Sequence, residues 1–106
     1  MLITEAKAKS LVFRLVKRYV EVGKQANLTK ATLAKIAGVS QSRFYQVAKT
    51  AEAGQELDVS AYAFLRIKQA LALLEQDLQG GDLPVRARTN SYQQEYLDRL
   101  GVVEGE

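Results

Sequence analysis

The sequence predicts an all-α fold of about five helices, and three observations support that prediction. Apolar residues recur at three- and four-residue spacing along most of the 106 residues, which is the period of helices with one buried face. The chain contains a single proline, so few positions would break a helix. Its composition is 47% hydrophobic and 25% charged, as in ordinary globular domains.

The first predicted helix begins after an N-cap at Thr4, whose hydroxyl can accept a hydrogen bond from a free backbone amide. Its buried stripe includes Val12, Val16 and Tyr19, which are spaced four and three residues apart. We expect the helix to stop at Gly23, because glycine commonly terminates helices.

Two short helices are predicted next, and a tight turn joins them. One follows Thr29 and extends to about Ala37, and the other follows Ser40 and extends to about Thr50. Gly38 lies where the chain leaves the first of these helices in a left-handed conformation, which glycine adopts most easily.

The longest apolar element is a helix predicted over residues 58–79, with Asp58 or Ser60 as its cap and Gly80 at its end. Further apolar residues lie beside its main seam, so the helix should be covered on more than one side. We therefore expect the seam to form the interface of a homodimer. The alternative is that it only closes the core of its own chain. The seam consists of Phe64, Ile67, Leu71, Leu74 and Leu78.

Residues 81–106 are predicted to form a linker, which contains Pro84, and one last short helix. That helix should extend from Asn90 or Ser91 to Leu100, with Ser91 and Gln94 as a capping box. It would either brace the core of its own chain or cross to a second copy.

The composition excludes several classes of function. The chain has no cysteine and no histidine, which removes disulfides, thiol nucleophiles, zinc fingers and histidine acid–base chemistry. We accordingly expect no metal, no cofactor and no catalytic residues, and so not an enzyme. Charged residues interrupt the apolar start of the chain, so we expect neither a membrane span nor a signal peptide and assign the protein to the cytoplasm.

The charge of the chain is unevenly distributed. Residues 1–50 contain ten basic and two acidic residues, a formal charge of +8, whereas residues 51–106 carry a charge of −5. The formal net charge of +3 at pH 7 hides this difference. A strongly basic half indicates a surface that attracts a polyanion such as nucleic acid.

Residues 30–49 carry the most informative motif, two short helices joined by a glycine-containing turn, which is the helix-turn-helix arrangement. Ala34 lies where the first helix approaches the second, so its side chain must be small. Val39 fills the space between the helices, and Ser40 can cap the second helix. Phe44 and Val47 point together into the core.

This stretch resembles two families of regulators. Leu33 to Ser40, followed by Phe44-Tyr45, resembles the DNA-binding segment of tetracycline-repressor-type regulators. Ala34, Gly38-Val39, Gln41-Ser42 and Val47 are also similar to the phage-repressor type, as in lambda repressor and Cro. The resemblance covers about one fifth of the chain and implies binding to double-stranded DNA. The 57 residues after Lys49 are too few for the ligand-binding domain of the first family.

Docking of the second helix in the major groove would place its first residues at base edges. Gln41, Ser42, Arg43 and Gln46 are therefore the predicted base-reading residues. Tyr45 is predicted to contact the DNA backbone or a thymine methyl group, or alternatively to pack on the first helix. The remaining predicted backbone contacts are Thr29, Lys30, Thr32 and Lys49.

These expectations converge on a dimeric transcriptional regulator, most simply a repressor, with its DNA-binding domain in residues 1–80. Two alternatives remain at the level of the sequence. The chain could be an antitoxin-like, phage or plasmid regulator whose C-terminal segment binds a protein partner. It could also be a helical protein-interaction module that does not bind DNA.

Overall fold

The computed structural model describes residues 5–55, 59–80 and 90–102, and within them the chain is all-α, as predicted. The side chains of residues 11–55, 59–80 and 93–102 are described. No strand occurs in these ranges. The five helices are α1 (Glu5–Gln25), α2 (Lys30–Ala37), α3 (Gln41–Glu52), α4 (Ala61–Gln79) and α5 (Asn90–Arg99).

Three of the predicted helix caps are confirmed. Thr29, Ser40 and Ser60 have extended backbone conformations, and the side chain of each accepts a hydrogen bond from the amide three residues later. This is the geometry in which a hydroxyl bonds one of the free amides at a helix start. The predicted caps Thr4 and Asp58, and the linker around Pro84, lie outside the described residues.

The predicted end of α1 at Gly23 is wrong, because the helix continues to Gln25. The chain instead turns at Asn27, which has a φ of 60°. Gly23 is buried, and a Cβ atom at this position would lie 2.5 Å from Cδ1 of Leu33. The glycine therefore allows α1 and α2 to approach closely. α3 likewise extends two residues beyond Thr50, whereas α4 ends at Gln79 as expected.

One tyrosine at the centre of the core connects three helices. The hydroxyl of Tyr19 on α1 donates a hydrogen bond to the carbonyl oxygen of Leu33 on α2 at 2.6 Å. Its ring meets the ring of Phe44 on α3 edge-on, with centroids 5.8 Å apart. Burial raises the pKa of the Tyr19 phenol far above its ordinary value, and Tyr96 adds to this shift. The phenol is thus held in its neutral, donating form.

The α4 seam closes the core of its own chain. Ile67, Leu71 and Leu74 are buried and belong to the same apolar cluster as Val16 and Phe44. Phe64 and Leu78, at the two ends of the seam, are half-buried. The buried members of the seam are consequently unavailable to a second copy, which corrects the expectation that this seam forms a dimer interface.

The last helix, α5, packs on the rest of the chain. Gln93, Tyr96 and Leu97 are buried, and the Tyr96 hydroxyl donates to Oδ2 of Asp77 on α4 at 2.6 Å. Gln94, predicted to take part in a capping box with Ser91, donates through its amide to Oδ1 of Asp98. The side chain of Ser91 lies outside the described residues. Of the two roles expected for this helix, α5 takes the bracing one within its own chain.

Candidate nucleic-acid interface

A three-residue turn over residues 38–40 joins α2 to α3. Gly38 has a left-handed backbone with a φ of 71°. The amide of Val39 donates to the carbonyl oxygen of Ala34 at 3.1 Å, which closes the end of α2. Ala34 is completely buried, in agreement with the expectation that its side chain must be small. The turn is therefore held at both sides, by α2 hydrogen bonds and by the Ser40 cap of α3.

The two sides of α3 differ sharply in chemistry. One side packs into the core through apolar residues only: Phe44, Val47, Ala48 and Ala51. Over residues 41–49 the opposite side exposes five polar side chains and Tyr45, and Glu52 is also exposed at the end of the helix. The six side chains over residues 41–49 are Gln41, Ser42, Arg43, Tyr45, Gln46 and Lys49. A helix of this kind is anchored by one face and presents hydrogen-bonding groups and positive charge on the other.

All four predicted base-reading residues are exposed, and their positions on α3 differ. At 100° per residue, Ser42 and Gln46 lie near the middle of the exposed face, while Gln41 and Arg43 lie at its two edges. Tyr45, 43% exposed, and Lys49 lie close to Ser42 on the same face. The six side chains together form what we call the α3 polar face.

Lys30, predicted to contact the DNA backbone, is paired with an acidic residue. Its Nζ lies 3.0 Å from Oε1 of Glu52 at the end of α3, and Nζ of Lys24 lies 3.9 Å from the same oxygen. Glu52 thus partly compensates two of the basic charges of the N-terminal half.

Thr29 and Thr32, two predicted phosphate contacts at the N-terminal end of α2, are hydrogen-bonded to Gln93 of α5. Oε1 of Gln93 accepts a hydrogen bond from the amide of Thr29 at 3.0 Å and from the Thr29 hydroxyl at 2.9 Å. The Thr32 hydroxyl also donates to this oxygen. Thr32 and Gln93 are each 5% exposed, so the Thr32 side chain is buried away from a phosphate, and the Thr29 hydroxyl has a partner inside the chain.

The sequence did not single out Arg66, which the structure places at the turn. Its guanidinium lies against Gly38, where an added Cβ atom would be 2.3 Å from Nη2. The Cζ atom is 5.2 Å from the ring centroid of Tyr62, one helical turn earlier on α4. The four-residue spacing of Tyr62 and Arg66 is the only sequence signal for this pair.

A groove of about 720 Å³ lies beside the turn, between α2 and α4. We call it the α2–α4 groove. Among the described residues that line it, Lys35 and Arg66 are basic and none is acidic. Ser40, the cap of α3, also lines it. The groove is therefore a positively charged surface that continues to the start of α3.

No described helix has the length and apolar character needed to cross a bilayer. Within the same ranges, no cluster of acidic side chains could hold a metal ion.

Compared with family models, curated proteins and solved structures, the chain matches none of them.

Proposed function

We propose that this protein is a sequence-specific transcriptional regulator that binds double-stranded DNA and reads the major groove with α3. The α3 polar face is the observation that carries the proposal. It belongs to the second of two short helices joined by a three-residue turn, which is the arrangement of a helix-turn-helix motif. The helix is anchored by apolar residues on its other side.

The side chains at the start of α3 suit base recognition. Gln41 carries the donor and acceptor that match adenine, and Arg43 carries the two donors that match guanine. Gln46, one turn later, is in reach of a third base. In this orientation Tyr45 and Lys49 contact the sugar–phosphate backbone on the same side of the helix.

The charge of the chain supports the same surface. Arg43 and Lys49 are exposed on α3, within the half of charge +8. Such a field attracts DNA at long range and fixes the protein on the phosphates before any base is read. Such a regulator would act in the cytoplasm, where its DNA lies.

A homodimer acting as a repressor completes the proposal. Two-fold symmetry would place two copies of α3 about 34 Å apart, one turn of DNA. Since the α4 seam is buried, the contact between the two copies would lie elsewhere on the surface of the chain. Occupation of a promoter by such a dimer blocks transcription without any further domain.

The antitoxin-like alternative receives less support. It requires a C-terminal segment that is free to bind a partner protein, whereas Gln93, Tyr96 and Leu97 of α5 are buried within the chain.

The test is selection of bound duplexes from a random DNA pool, followed by titration of the enriched sequence. We expect a palindromic site. Arg43→Ala and Gln41→Ala should each lose about 1–3 kcal/mol of discrimination at one base position while folding normally. Arg14→Ala and Gln79→Ala, exposed residues away from α3, are the matched controls and should keep the base preference. Failure to enrich any sequence would contradict the proposal.

A further inference from the structure

We infer that Arg66 of α4 is an additional phosphate-binding residue, which holds the DNA strand that passes the turn before α3. This inference rests on the proposed function and extends it to a helix outside the α2–α3 pair. The geometry of the guanidinium, its lack of an acidic partner and its place beside α3 are three separate observations that carry it.

The guanidinium of Arg66 is held in place by its surroundings. Gly38 provides the space: a Cβ atom there would lie 2.3 Å from Nη2 and 3.0 Å from Cζ. Tyr62 provides a ring face at 5.2 Å, a favourable position for a planar cation. A guanidinium restrained in this way loses less side-chain entropy when it binds an anion than a free one does.

The positive charge of Arg66 has no acidic partner among the described residues. Within residues 11–55, 59–80 and 93–102, the acidic groups that form ion pairs are Glu52, with two lysines, and Glu75, with Arg18. The residues that line the α2–α4 groove include none that is acidic. Among the described residues no carboxylate therefore offsets the charge of Arg66, which is exposed.

The position of Arg66 selects DNA phosphate as the ligand. Gly38 precedes the Ser40 cap of α3 by two residues, so the guanidinium lies next to the helix end that would enter the major groove. Phosphates line both edges of that groove, and an arginine can bind a phosphate through two parallel hydrogen bonds. Lys35, which lines the α2–α4 groove together with Arg66, adds to the positive potential of that protein surface.

Lys68 provides a matched control. It is exposed on α4 only two residues after Arg66, but it does not line the α2–α4 groove. Arg66→Gln and Lys68→Gln each remove one positive charge from the same helix. The two variants therefore share the change in net charge and differ in the site from which the charge is removed.

The experiment measures binding of both variants and the wild type to a mixed-sequence DNA duplex between 50 and 200 mM KCl. Loss of one phosphate contact should reduce the slope of log K against log salt by about 0.9 for Arg66→Gln. Across this salt range the wild type should thus lose about threefold more affinity than Arg66→Gln. Lys68→Gln should keep the slope of the wild type. Circular dichroism at the assay temperature verifies that both variants are folded.

Two results would overturn the inference, and they are distinguishable. Equal slopes for Arg66→Gln and Lys68→Gln, with a wild type that binds DNA, would remove Arg66 from the interface and leave the proposed function intact. A wild type that fails to bind any duplex at 50 mM salt would remove both.

Discussion

The two ends of α2 have opposite chemistry. At its N-terminal end the amide and hydroxyl of Thr29 and the hydroxyl of Thr32 all meet one oxygen of Gln93, and α5 covers them. At its C-terminal end Gly38 is exposed, and the guanidinium of Arg66 lies against it. One end thus combines a buried hydrogen-bonded cluster with the Lys30–Glu52 ion pair, and the other carries the exposed positive charge of Arg66.

The difference shows how one helix can be fixed to the rest of the chain at one end and leave its other end exposed to a ligand. General principles favour anions at the N-terminal end of a helix, where amides are free. Here an uncharged side chain from a helix more than 60 residues later in the sequence occupies that position. The exposed positive charge of Arg66 lies near the C-terminal end of α2, where the helix dipole favours a cation.

The largest expected effect comes from removing the apolar side chain between the two ends. Leu33→Ala should lower the free energy of unfolding by about 2–5 kcal/mol, because a fully buried leucine leaves a cavity. Urea denaturation measures the change. Leu65→Ala, at an exposed position on α4, should change the free energy by less than about 0.5 kcal/mol. Equal effects for the two variants would contradict the packing of α2 described here.

A smaller effect is expected at the covered end. Gln93→Ala removes the acceptor of the Thr29 and Thr32 groups and should cost about 1–3 kcal/mol of unfolding free energy, since buried donors lose their partner. Gln94→Ala, one residue later and exposed, is the control for the loss of a glutamine from α5. Thermal and urea unfolding of both variants test the difference, which would be absent if α5 did not cover α2.

The smallest effect on stability is expected at the exposed end. Gly38→Ala and Gly54→Ala both place a side chain on a left-handed backbone, with φ of 71° and 73°, and each should cost about 1–2 kcal/mol. Only at Gly38 does the new Cβ atom meet another residue, Arg66. We therefore expect Gly38→Ala, but not Gly54→Ala, to reduce the salt dependence of DNA binding. Identical salt slopes would contradict the role of this contact.

Local signals in the sequence were sufficient to predict most of the fold. Each hydroxyl cap and the glycine turn form hydrogen bonds with residues no more than four positions away, so neighbouring positions in the sequence are enough to predict them. These residues are Thr29, Ser40, Ser60 and Gly38. The polar and apolar sides of α3 follow from helical periodicity for the same reason.

The interactions that the sequence did not reveal join residues far apart along the chain. Gly23 has the local pattern of a helix end, but its contact with Leu33 depends on how α1 and α2 pack. The acceptor for Thr29 and Thr32 lies on α5, and no periodicity links it to α2. The α4 seam would be apolar both as a dimer interface and as part of the core of its own chain. Only burial in the folded chain distinguishes these two roles.

Tyr19 holds α2 and α3 in a fixed relative position, which affects how the protein would bind DNA. Its hydroxyl is bonded to α2 and its ring packs on α3, so a single residue of α1 fixes both helices relative to each other. On the proposed function, the reading surface exists before DNA arrives, and binding involves docking of a formed surface rather than folding on the target. The corresponding heat-capacity change is that of surface burial alone, without the contribution of coupled folding.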